Sequence, residues 1–104
     1  MSKVIVIIGA GQGIGKAVAT QFGKQGFSIA LIARKSEKLE ILKQQLIAEG
    51  IDAHAFTGDA GDPESMREAF NQIWEIWEHI DTIHYNVAKI KNVNIAIETA
   101  DGLT

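Results

Sequence analysis

Near its amino terminus the chain carries a continuous β-branched run, Lys3 to Ile8 (KVIVII), apolar from Val4 onward, which leads directly into a turn holding Gly9, Gly11, Gly13 and Gly15. An unbroken apolar run of this length is the pattern of a strand covered on both faces, as in parallel sheets flanked by helices. Beyond the turn, Gly15 to Gln25 carries Val18, Ala19 and Phe22 at helical spacing, and Gly26 stands where a helix stop belongs. Strand, glycine turn and helix therefore form one unit. Glycines suit such a turn because the chain must reverse sharply, because a Cβ would hold a phosphate away from the backbone, and because helix and strand must pack closely. The free N–H groups of the helix's first turn, with its positive dipole end, then face the anion.

The pattern repeats along the chain. Ser28 to Ala33 (SIALIA) predicts a second strand, and Ser36 is the expected N-cap of a helix that carries Leu39, Leu42, Leu46 and Ile47 and ends at Gly50. Ile51 to Thr57 predicts a weaker third strand. Asp62 is the expected cap of a third helix, with Pro63 in its first turn and Met66, Phe70, Ile73, Trp74 and Trp77 as its buried stripe. Ile80 to Val87 predicts a fourth strand. Strands alternating with helices of this length imply right-handed crossovers and an α/β, Rossmann-type doubly wound parallel sheet in the order 3-2-1-4, as one domain over residues 1–104. Lys89 to Thr104 is harder to place: Val93, Ile95 and Ile97 alternate like a strand, Thr99 fits a helix cap, and the end looks abrupt.

Composition narrows the functional classes. With 104 residues and a formal net charge of -3, the chain is sized for one small core and is not steered as a whole toward nucleic acid or an anionic membrane. The absence of cysteine excludes disulfides, thiolate zinc sites and cysteine nucleophiles. His54, His79 and His84 lack ligand-like spacing, so no metal site is expected. Met1 leads into a strand without the segments of a signal peptide, and the longest apolar run is far short of the roughly 20 residues that cross a bilayer. A cytoplasmic location is the expectation.

Glycine spacing discriminates further. A G-x-G-x-x-G fingerprint begun at Gly9 would place glycine where Ile14 stands, whereas G-x-x-x-G-x-G is met in full by Gly9, Gly13 and Gly15. On these residues the chain resembles the short-chain dehydrogenase/reductase family, and three later stations extend the likeness. At the end of the second strand an acidic residue would accept the ribose hydroxyls of NAD, but here Ala33 is followed by Arg34 and Lys35. A guanidinium can hold a phosphate in a bidentate pair, so NADP is favoured over NAD. Gln12 stands where many NADP-preferring relatives are basic. Gly58-Asp59-Ala60 matches the family's short aspartate motif, in which the carboxylate and the next backbone N–H contact adenine; its rival is a plain turn aspartate in Gly-Asp-Ala-Gly-Asp-Pro. In Tyr85-Asn86-Val87-Ala88, Asn86 carries the match to the family's Asn-Asn-Ala-Gly, with Ala88 in place of its glycine.

The resemblance thus implies cofactor contacts from Gly9, Gly11, Gln12, Gly13, Ile14, Gly15, Arg34, Lys35, Asp59, Ala60, Asn86 and Ala88. Tyr85 and Lys89 spell the family's catalytic Y-x-x-x-K, but that chemistry depends on a helix, where the two side chains share a face, and this pair ends a strand. The family's catalytic serine, tyrosine and lysine lie beyond the fourth strand, so none is assigned here. The expectation is the cofactor-binding half of an NADP(H)-dependent oxidoreductase for a carbonyl or alcohol substrate, homo-oligomeric and inactive as this piece. The alternatives are a non-catalytic nucleotide-binding module and a remnant that binds nothing.

Overall fold

The computed structural model describes residues 3–9 and 13–85, with backbone alone at 13 and 14. Along the chain it forms β1 (Val4–Ile8), α1 (Gly13–Lys24), β2 (Ser28–Ala33), α2 (Ser36–Ala48), β3 (Ala53–Thr57), α3 (Pro63–Trp77) and β4 (Thr82–Tyr85). The strands make one parallel sheet in the order β3-β2-β1-β4, as the alternation of strand and helix predicts. Every residue of β1 is buried because both faces of the strand are covered. On one face Ile5, Ile7, Ile29 and Leu31 pack against Ala19 of α1 and Leu39, Leu42 and Leu46 of α2. On the other, Val6, Ile8, Ala30, Ile32 and Phe56 pack against Ala69 and Ile73 of α3. Burying a side chain of this size contributes about 1.5–3 kcal/mol, so these two apolar layers dominate the fold's stability.

Several readings of the sequence are corrected by the structure, among them the fourth strand, which begins at Thr82 and not at Ile80. Lys35, extended at φ -96° and ψ 111°, is the N-cap of α2, and Ser36 is already helical, so the helix begins without a side-chain cap. Trp74 is 53% exposed, not buried with its stripe, and Ile47 of α2 is likewise 46% exposed. Each follows a fully buried residue, Ile73 and Leu46, and so sits about 100° around the helix from the sheet. The third strand starts at Ala53 instead of Ile51, because the Ile51 N–H donates to the carbonyl of Leu46 at the end of α2 (3.1 Å) and not to the sheet. By contrast, Asp62 does cap α3, accepting from the Glu64 N–H, with Pro63 in the first turn.

Two aspartates fasten the amino edge of the sheet. Asp81 accepts the Val4 N–H at 2.8 Å and donates its own N–H to the Val4 carbonyl at 2.9 Å, joining β4 to β1. Asp52 accepts the Ser28 hydroxyl at 2.8 Å on one oxygen and meets His54 Nε2 at 2.9 Å with the other, joining β2 to β3. Among the described residues no helix is long and apolar enough to cross a membrane.

Candidate functional site

In a parallel sheet all strands end on the same side, and the register here brings four of those ends into line. Ile8 pairs with Ile32 on one side and Tyr85 on the other, while Ala33 pairs with Thr57. The first residue past each of two strands continues the ladder: the Gly9 N–H donates to the Ile32 carbonyl (2.8 Å) and the Gly58 N–H to the Ala33 carbonyl (3.0 Å). Gly9, Arg34 and Asp59 therefore leave the sheet side by side. The crossovers by α1 and α2 lie on one face and that by α3 on the other, so the strand order reverses between β1 and β4. A crevice at the carboxyl ends beside such a reversal is where open α/β sheets take their ligands.

Gly9 has φ +82°, a left-handed backbone that only glycine adopts at little cost, and this lets the chain turn off β1 at once. Gly13 and Gly15 stand in the first turn of α1, not in the loop before it, and Gly15 is buried. Gly11 and Gln12, the side chain of Ile14, and Asn86, Ala88 and Lys89 lie outside the described residues, as do Val87 and the Val93 to Thr99 segment. Tyr85 belongs to a strand, as the sequence indicates, and its side chain is 63% exposed.

Arg34 and Lys35 are both exposed at the end of β2. Lys35 offers no oxygen to the first turn of α2, so those N–H groups lack the cap that Asp62 gives α3. Two cations and an uncapped helix start make this corner of the rim favourable to an anion.

The Asp59 loop is tightly pinned. A Cβ on Gly58 would stand 3.0 Å from Ile32 Cγ2 and 3.4 Å from Ala69 Cβ, so the loop passes close between β2 and α3. The Asp59 N–H donates to Ser65 Oγ of α3 (2.9 Å), its carbonyl accepts from the Asp62 N–H (2.9 Å), and its Oδ1 accepts from the Gly61 N–H (2.9 Å). The turn role that rivalled adenine binding for Asp59 is thus present, yet it uses one carboxylate oxygen. Among the described residues, Oδ2 of Asp59 and the N–H of Ala60 have no hydrogen-bond partner. An acceptor beside a donor is the complement of adenine's amino group and N1. Ser65 escaped the sequence reading; its only signal is a serine in the first turn of the helix that follows the motif.

Two other features can be set aside. Ser28, Asp52 and His54 are a serine, an acid and a histidine in contact, but the aspartate stands in the middle, so the imidazole has no hydroxyl to deprotonate. An open groove lined by Lys16, Thr20, Gln21, Lys24, Gln25 and Glu49 runs along α1 and includes none of the rim residues.

Sheet order, the left-handed glycine after β1 and the polar groups at the carboxyl rim define a Rossmann-type α/β domain. The chain belongs to the short-chain dehydrogenase family, whose model matches residues 3–101. It is similar to 2,3-dihydro-2,3-dihydroxybenzoate dehydrogenase of Bacillus subtilis, with 40% identity over 85% of this chain and 33% of that protein. Among solved structures, actinorhodin polyketide ketoreductase with NADPH superposes with a TM-score of 0.79 at 27% identity, covering 82% of this chain and 33% of the other. Xylitol dehydrogenase with NAD+ gives 0.74 at 27% identity, over 78% of this chain and 31% of the other. The chain thus spans about a third of the length of the proteins it matches.

Proposed function

We propose that this chain forms the NADP(H)-binding portion of a short-chain oxidoreductase acting on a carbonyl or alcohol substrate. The observation that supports the reading is the rim itself: Gly9 leaving β1 with a left-handed backbone, Arg34 and Lys35 exposed at the end of β2, and Asp59 with Ala60 just past the end of β3. Gly9, Gly11, Gln12, Gly13, Ile14 and Gly15 would face the pyrophosphate, Arg34 and Lys35 the 2′-phosphate, and Asp59 and Ala60 the adenine. Asn86 and Ala88 would follow β4 toward the nicotinamide ribose. The uncapped start of α2 adds Ser36 to the phosphate corner. Bound nicotinamide supplies or accepts the hydride; the groups described here hold and orient the dinucleotide. By itself the 104-residue piece is proposed to bind cofactor without turnover.

Relatives carrying NADPH and NAD+ both superpose well on this chain, so cofactor choice rests on Arg34. Calorimetric titration of the chain with NADPH and NADH, alone and as Arg34→Ala, tests it. A charge-assisted pair contributes about 1.5–3 kcal/mol, so NADPH is expected to bind roughly tenfold or more tighter, and Arg34→Ala to erase most of that margin. Equal affinities in the native chain would remove the NADP assignment. A folded chain that binds neither dinucleotide would sink the reading of these residues as a self-sufficient nucleotide-binding module, leaving either a remnant or an enzyme whose cofactor site needs further segments.

A further inference from the structure

We propose that Ser65 is a positioning residue for adenine recognition: from the first turn of α3 it fixes the direction in which Asp59 and Ala60 present their free polar groups. The proposal rests on the reading of Asp59 and Ala60 as the adenine contact and assigns the part of that contact set from outside the loop.

The argument is one of peptide planes. The direction of the Asp59 side chain is set by the two planes that meet at its Cα. The plane before it carries the Asp59 N–H, which donates to Ser65 Oγ at 2.9 Å. The plane after it carries the Asp59 carbonyl, which accepts from the Asp62 N–H at 2.9 Å. In a trans peptide the carbonyl and the following N–H point in opposite directions, so turning this carbonyl into the loop turns the Ala60 N–H out of it. The Gly61 N–H on Asp59 Oδ1, also at 2.9 Å, then sets the rotation of the carboxylate and leaves Oδ2 as the outward acceptor.

The Gly61 bond lies within the loop, and the Asp62 bond ties only the second plane, through the backbone of the residue that caps α3. The Ser65 bond instead runs to the body of α3, whose Ala69 and Ile73 are anchored in the core. Removing the Ser65 hydroxyl therefore frees the first plane while the turn keeps its shape. Donor and acceptor stay together but lose their aim.

Adenine offers a donor amino group beside the acceptor N1, and hypoxanthine reverses both, with an acceptor O6 beside an N1–H donor. The ratio of affinities for NADPH and reduced nicotinamide hypoxanthine dinucleotide phosphate reads how well Asp59 and Ala60 are aimed. Titration of the 104-residue chain with both is to be made for the native protein, Ser65→Ala, Ser65→Thr and Asp59→Ala. The native chain should prefer NADPH by roughly tenfold. Ser65→Ala should lose most of that preference through weaker NADPH binding alone, Ser65→Thr should keep it because the hydroxyl remains, and Asp59→Ala should abolish it.

If Ser65→Ala weakens both dinucleotides equally, the serine serves only stability and the proposal is overturned. The same holds if its preference is unchanged while that of Asp59→Ala disappears. A native chain with no preference, or an Asp59→Ala chain that retains it, overturns the adenine reading itself. Should Ser65→Ala not fold, Ser65→Val against Ser65→Thr makes the same comparison, with equal preferences sinking the proposal.

Discussion

Helix interiors favour alanine over glycine by about 1 kcal/mol, yet at Gly23 of α1 the order should reverse. A Cβ there would stand 2.5 Å from Cγ2 of Ile51 and 2.8 Å from its Cγ1 and Cδ1. Ile51 is 4% exposed at the junction of α2 and β3, so it has little room to turn away. Gly23→Ala should therefore lower stability by about 1–3 kcal/mol in urea unfolding, and should cost less in an Ile51→Ala background, where all three contacting atoms are gone. A more stable Gly23→Ala chain would show that α1 can slide off the junction. The contrast with Gly9 explains what could be read from residues alone. Gly9 follows a strand and belongs to a local pattern whose spacing names its task. Gly23 answers to a residue in another α/β unit, and Ser65 answers to an N–H that local spacing does not reveal.

Helix faces were legible to within one residue, and the errors share a cause. Apolar character marks the inward stripe of α3 through Met66, Phe70, Ile73 and Trp77, but hydrophobicity alone cannot separate Ile73 from Trp74, its neighbour 100° around the helix. The two should differ sharply when truncated. Ile73, wholly buried against β1 and β2, should cost about 2–5 kcal/mol as Ile73→Ala. Trp74, more than half exposed, should change stability by no more than about 0.5 kcal/mol as Trp74→Ala. Chemical denaturation of the two variants reads both; comparable losses would mean that the tryptophan is covered in solution. The start of α2 shows the same limit at a cap. Ser36 has the right chemistry for an N-cap, but Lys35 keeps the extended backbone that defines the position, and only the geometry of the turn off β2 decides between them.

At the scale of the whole sheet, the covered and uncovered parts of one face predict how the chain behaves with its own copies. Ile83 and Tyr85 of β4 are register partners of Val6 and Ile8 and so lie on the face that α3 covers. Val6 and Ile8 are buried there, but Ile83 is 53% and Tyr85 63% exposed, so the cover of α3 stops at β1. Among the described residues β4 is also an outer strand, with backbone groups on one side unpaired. An apolar, unpaired edge invites pairing with another chain, and a lysine on such an edge discourages it. The 104-residue chain is therefore expected to self-associate, with sedimentation velocity showing a mass that rises with concentration, and Ile83→Lys to shift it toward the monomer. A native chain that stays monomeric throughout would mean that this edge is already covered. Because Ile83 lies away from Gly9, Arg34 and Asp59, the variant should leave dinucleotide affinity unchanged, which separates edge pairing from the cofactor rim.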